Sequence, residues 1–178
     1  EIYTRSIVGQ RQMCIRDRVQ VEGDVCYLSL VERHRGTGAV VNGFVSGFGY
    51  TGSMAIASSV AHDSHHMIVV GTNQEMMACA ANRLGEVGGG VSLWKDGSEV
   101  ALVELPIAGL MSDSKASDVA VKAQAIVSAM IDCGCTLNNA YMQHTLLALV
   151  VIPELRISDL GLVDVNRFEL TKIIETNF

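Results

Sequence analysis

The chain has no long hydrophobic run. Its longest apolar stretch is LLALVVI at 146–152, far short of the ~20 residues that cross a bilayer. This excludes a helical membrane span, and no signal peptide is visible. Positive charge is scarce too. Residues 1–18 hold four arginines and two acidic residues; without them 9 Lys and Arg stand against 17 Asp and Glu, a net of −8. An acidic domain lacks the electrostatic footprint of a nucleic-acid binder. Paired cysteines are missing. Beyond residue 18 the chain has Cys26, Cys79, Cys133 and Cys135, and only the last two are close. One Cys-x-Cys without a second pair does not make a zinc site, and free thiols fit a reducing cytoplasm. There is no internal repeat, linker or low-complexity tract. Neither the glycine spacing of a P-loop or dinucleotide fingerprint nor a Ser-His-Asp or Cys-His order can be singled out.

Residues 1–18, EIYTRSIVGQRQMCIRDR, carry no helical or strand period. Gln10–Arg18 back-translates to the transposon-end adapter of sequencing libraries, and Glu1–Thr4 to part of a flow-cell adapter. They read as an artefact and are set aside, which also implies that the gene was cut upstream. A chain starting at Val19 is expected to melt within about 1 °C of the full one, because a segment outside the core adds little. A loss of several degrees in a thermal melt contradicts this.

The remaining 160 residues suit a single domain, long enough to bury about 70% of its unfolded surface. VCYLSLVERH (25–34) alternates as a strand. The glycine-rich stretch to His62 reads as two short strands with a turn near 50–52. HMIVVG is a continuous apolar strand, buried on both faces. Thr72-x-x-Glu75 is a capping box. It opens a helix carrying Met76, Met77, Ala80, Leu84 and Val87, which Gly88–Gly90 stop. Asp96-Gly97 between alternating segments marks a hairpin. Ser117 and Asp118 open a second helix with Val119, Ala123, Ile126, Val127, Met130 and Ile131 on one face, ended by Gly134. A third helix covers about 139–149, Pro153 breaks it, and FELTKII returns as an edge strand. Met76, Met77, Met130 and Met142 read as core fill. The order β-β-β-β-α-β-β-α-α-β specifies an α+β fold, one domain with a mainly antiparallel sheet and helices packed on it.

The chemistry-bearing residues cluster in AHDSHHMIVVGTNQE (61–75). His62, Asp63, His65 and His66 are of the types that bind metals and move protons. On a helix the spacing would suit a metal pair, but strand-like flanks send alternate residues to opposite sides. A metal would also need a third ligand from elsewhere. Asp63 is placed to orient an imidazole, as carboxylates do behind ligand histidines. A structural network of paired turn histidines is the competing reading. Glu32, Arg33 and His34, before a glycine-rich loop, are secondary candidates; a solvated, salt-bridged strand end is their plainer explanation. The Gly71-Thr72-Asn73 turn before the helix is explained by capping, although helix N-termini also favour anions.

The blocks VERHRGTG, GFVSGFG, AIASSVAHDSHHMIVVGTN, NRLGEVGGG, LPIAGLMSD and VIPELRISDLGLVDV, in this order, resemble the C-terminal domain of bacterial adenine deaminases, in the amidohydrolase superfamily. The resemblance runs from about Val21 to the end. The family usually reads AHDSHN, so His66 replaces an asparagine; it also usually has a basic pair near Tyr50-Thr51 and a proline at Val150. The resemblance implies that the complete enzyme hydrolyses adenine to hypoxanthine and ammonia in purine metabolism. Its manganese or iron lies in a (β/α)-barrel preceding this domain, where the metal activates the attacking water. It implies adenine and the upstream barrel as partners, no metal bound by this span, and a cytoplasmic enzyme, with homo-oligomerisation left open. On this reading His62, Asp63 and His65 face the barrel's mouth, and His66 stands outside the set. Two other readings remain: a free-standing small-molecule-binding or regulatory domain, and a small metallohydrolase using His62, His65 and His66 directly.

Overall fold

A computed structural model describes residues 23–173. The segment set aside above lies outside them. The main sheet has six strands. They are β1 (Val25–Val31), β2 (Val40–Ser46), β3 (Met54–Ser58), β4 (Met67–Gly71), β5 (Gly90–Lys95) and β6 (Ser98–Glu104). Their spatial order is β2-β1-β4-β3-β5-β6, and every neighbouring pair is antiparallel. The α+β class follows.

Both faces of this sheet are covered. The pleat sends Ile68 and Val70 of β4 into one apolar cluster and Met67 and Val69 into the other, as the continuous apolar run requires. The helix α1 (Gln74–Val87) packs Met77, Ala80, Ala81 and Leu84 against Ala55, Ala57, Met67 and Val69. The opposite face carries Leu28, Leu30, Ile56, Leu93 and Val103, and is closed by Ile126 and Met130 of α2 (Ala116–Asp132). Behind these follow α3 (Ala140–Leu146) and a second sheet of β7 (Leu155–Ser158), β8 (Gly161–Asp164) and β9 (Glu169–Thr171). Leu30 is 1% exposed, and truncating such a side chain to alanine costs about 2–5 kcal/mol. Among the described residues no helix is long and apolar enough to cross a membrane.

Several local expectations needed correction. Asn73, not Thr72, caps α1: its side chain accepts from the amide of Met76 at 3.0 Å. The Thr72 hydroxyl donates to the carbonyl of Gly52 at 2.6 Å and accepts from the amide of Met54 at 3.0 Å. It ties the helix start to β3, a distant contact that offers the hydroxyl more than the capping box does. β1 stops at Val31 because Glu32 turns the chain. α2 starts at Ala116 and buries only Ile126 and Met130; Val127 and Ile131, expected on the buried face, are 41% and 61% exposed. The apolar arc of this helix is wider than the strip the sheet covers. α3 is shorter than expected and follows Asn139 in a left-handed conformation. Met142 is exposed, not core. The expected single edge strand near the C-terminus is one of three in the second sheet; FELTKII continues past residue 173, outside the described residues.

The Asp96-Gly97 turn forms as the sequence specifies. Both residues have positive φ, 49° and 87°, as a type I′ hairpin turn demands.

Candidate functional site

Three loops and a hairpin tip meet at one end of the main sheet. They are the turn after β1 (32–39), the β3–β4 connection (59–66), the strap after β6 (105–111) and the β7–β8 tip at Asp159. Glu32 organises the first. Its Oε1 accepts from the amides of His34 (2.6 Å) and Arg35 (2.7 Å). Its Oε2 accepts from the amide (3.0 Å) and hydroxyl (2.8 Å) of Thr37. Glu32 is 4% exposed, so it is a buried anion inside a turn, not a solvated strand end. Hydrogen bonding to the charged form, led by the Thr37 amide and then the Arg35 amide, lowers its pKa to about 2.

That turn grips the histidine loop. Arg33 Nε donates to the carbonyl of His65 at 2.6 Å, and its Nη2 donates to the carbonyl of Ala108 at 3.0 Å. His34 Nε2 donates to the carbonyl of Ser64 at 2.6 Å. Because a carbonyl only accepts, this contact puts the His34 proton on Nε2. Ser59 secures the strap. Its hydroxyl donates to the carbonyl of Gly109 (2.6 Å) and accepts from the amide of Gly90 (2.7 Å). Arg33 and His34 therefore hold backbone here, and Ser59 locks the strap beside the histidines.

The histidines separate into two groups. His62 and His65 meet edge to face, ring centroids 5.2 Å apart. The amide of Ala61 donates to His65 Nδ1 at 3.3 Å, which leaves Nε2 as the protonated nitrogen of the neutral ring. Desolvation first, then His62, lowers the His65 pKa, so neutrality is favoured. Asp63 is exposed and acts on His65 only as a nearby charge that opposes this shift. The orienting contact expected from Asp63 is made instead by the Ala61 backbone. His66 belongs elsewhere. It is 5% exposed, its ring lies 4.6 Å from that of His34, and its Nδ1 and Nε2 are 4.0 Å from Glu32 and 3.8 Å from Asp159. Burial lowers its pKa against the pull of Asp159, and Nδ1 is buried without a hydrogen-bond partner.

His62, His65 and His66 thus do not converge, and among the described residues no group of three His, Cys, Asp or Glu stands ready for a metal ion. The geometry that a self-contained metallohydrolase requires is not formed by these three. What the site offers is a pair of imidazoles in edge-to-face contact on a braced turn. Sequence reasoning missed Ser59, Ala108 and Asp159. Only the polar Ser58-Ser59 pair closing an apolar strand hinted at the first; the others arrive by tertiary folding.

The structure defines an α+β domain whose polar end is built from crossing loops. Comparison with known proteins supplies the rest. The model of the adenine deaminase C-terminal domain matches residues 2–169, and the chain belongs to that family. It is 68% identical over 172 residues to an adenine deaminase of Paracoccus denitrificans, covering 96% of this chain and 28% of the relative. It is 74% identical over 152 residues to one of Ruegeria pomeroyi, covering 85% and 25%. To one of Moorella thermoacetica it is 46% identical over 154 residues, covering 86% and 26%. The chain spans about a quarter of the length of these relatives, which carry this domain within a longer polypeptide. The matched interval starts inside the segment read above as adapter, and the Val19 truncation separates those two views.

Proposed function

We propose that this domain serves an adenine deaminase, the enzyme its relatives are named for, and that it braces and lines the approach to an active site built by the rest of that polypeptide. The substrate is adenine, hydrolysed to hypoxanthine and ammonia, a step of purine metabolism. Among the described residues no group of His, Cys, Asp or Glu fits a metal ion; the manganese or iron centre is assigned to the part of the polypeptide that the relatives carry beyond this domain. The four free thiols of the described residues, three of them buried, suit a cytoplasmic enzyme.

The observation that carries this reading is the bracing of the histidine loop. Arg33 and His34 hold the carbonyls of His65 and Ser64, while His62 and His65 keep their rings partly exposed. A turn serving only itself needs no such clamp from another strand. His65, neutral and protonated at Nε2, donates a hydrogen bond to an acceptor such as a purine nitrogen. His62 packs edge to face against it and limits its rotation, and Asp63 adds a negative charge at the rim. His66 is excluded from contact with substrate by burial.

Replacing His62 or His65 by Gln in the complete enzyme is expected to lower kcat/KM tenfold or more, about 1.4 kcal/mol of transition-state stabilisation, with the melting temperature held. Steady-state kinetics and a melting curve on each variant check this. Intact activity per folded molecule, with lowered stability, assigns the loop a structural role instead.

A further inference from the structure

We infer that His66 is a pH-operated latch: as an imidazolium it bridges Glu32 and Asp159, and so closes the β7–β8 tip onto the end of the main sheet where the histidine loop lies. The ring stands between two carboxylates. Its Nδ1 is 4.0 Å from Glu32 Oε1 and its Nε2 is 3.8 Å from Asp159 Oδ2. A carboxylate only accepts hydrogen bonds and a neutral imidazole has one N–H, so a neutral ring serves one of the two at most. Only the doubly protonated ring donates to both. In the structure neither contact is closed. Both distances exceed hydrogen-bonding range, and Nδ1 is buried without a partner. Buried polar groups are nearly always paired, so the ring occupies a place whose chemistry suits its charged form.

The surroundings decide which part moves. Glu32 is held by four donors from its own turn and stays in place. Asp159 is at a hairpin tip. The base of that hairpin is anchored by Ile157 and Leu162, both in the core, while Leu160 at the tip is 74% exposed. Asp159 also lies 3.5 Å from Arg35, whose side chain is mostly exposed, and such pairs hold weakly. Closing each contact to the roughly 2.7–2.9 Å of a charge-assisted hydrogen bond takes a movement of about 1 Å, which the ring and the tip supply. The groups facing His66 set when this happens. Burial comes first and lowers its affinity for a proton; His34 and Arg33 act in the same direction, Asp159 and Glu32 against it. On its own loop His62, Asp63 and His65 form the separate group described above, and the strap 105–111 brings no charge. The latch is therefore open at neutral pH and engages only below the ordinary histidine value of 6.5. Closed, it joins the second sheet to the loop that carries His62 and His65.

The geometry carries this inference independently of the roles given to His62 and His65, and its test has no catalytic readout. NMR on this chain follows the His66 ring and the amide exchange of Leu160 and Gly161 between about pH 7.5 and about pH 5, a window in which histidines titrate and ordinary carboxylates stay charged. The Leu160 amide donates to Ser158 Oγ at 3.2 Å, so its exchange reports opening of the tip. Protection of both amides, taken relative to an unstructured peptide at the same pH, is expected to rise severalfold with the midpoint of the His66 ring. His66→Gln keeps a polar side chain that does not titrate, and is expected to leave protection constant with pH. Asp159→Asn lies at the tip, outside the core, and does not endanger folding. In this variant His66 should still titrate, at a lower pH, with no rise in protection. Protection that stays constant in the parent overturns the inference. So does a rise that survives in either variant, which assigns it to another histidine or to the domain as a whole.

Discussion

Gly90→Ala is expected to remove most or all of the folded state, a loss of more than about 4 kcal/mol, beyond the ordinary range for one substitution. A Cβ at Gly90 would lie 1.9 Å from the carbonyl oxygen of Val103 and 3.0 Å from its carbon. Its φ is +135°, a region that side chains rarely enter. Neither partner can withdraw. Val103 pairs with Val91 in the β5–β6 ladder. Gly90 itself is fixed at both ends, its amide donating to Ser59 Oγ at 2.7 Å and its carbonyl accepting from the Ser59 amide at 3.0 Å. Domains of this size have only about 5–15 kcal/mol of stability in total. Gly97→Ala is the comparison. Its φ is +87° but nothing lies within 4 Å of its Cβ position, so only backbone strain remains, about 1–2 kcal/mol. Urea unfolding of both variants measures the difference. Equal losses would mean that the strand shifts to accept the methyl group.

The second large effect is acid lability. His144 is 2% exposed, its ring 4.4 Å from that of Phe48, and its Nε2 is 2.8 Å from the hydroxyl of Tyr50. Burial lowers its pKa from 6.5 to about 3 and drives the Tyr50 phenol upward, so the two form a neutral pair. The unfolded chain binds a proton at His144 from about pH 6.5 downward while the folded chain does not until about pH 3. Stability therefore falls with pH through that window, by on the order of 5 kcal/mol for the full shift. His65 and His66, also lowered, add to the slope in the same direction. Glu32 acts lower down. Its folded pKa of about 2 sits below the ordinary carboxylate value near 4.3, so its contribution is present above that value and disappears as pH falls towards 2. His144→Gln keeps a hydrogen-bonding group for Tyr50 and cannot titrate. Denaturant unfolding at pH 7 and pH 4 should show a flatter dependence for this variant than for the parent. An unchanged slope would place the acid sensitivity elsewhere.

His144 also shows why the site and the core were unequally legible. Nothing local in AYMQHTLLAL separates a solvent-facing histidine from one enclosed by Phe48 and Tyr50, which are nearly a hundred positions away. The HDSHH turn was visible as a density of polar chemistry after an apolar strand. Its internal division was not, because His65 and His66 are adjacent in sequence and differ only in what folding brings to each: the Ala61 amide to one, Glu32 and Asp159 to the other.

Periodicity and turn chemistry determined the strand segments of the main sheet, the type I′ turn at Asp96-Gly97 and the existence of all three helices, since these depend on contacts within a few residues, and the order of these elements gave the α+β class; the pairing of β1 with β4 and of β3 with β5 came from tertiary folding. The order of quoted blocks determined the family. Tertiary structure decided the rest. It moved the cap from Thr72 to Asn73 by giving Thr72 a partner in β3. It left half of the apolar arc of α2 uncovered because the sheet is narrower than the arc. It turned Glu32 from a surface charge into the buried centre of a turn, because four donors close in sequence reach one carboxylate only when the chain reverses after β1.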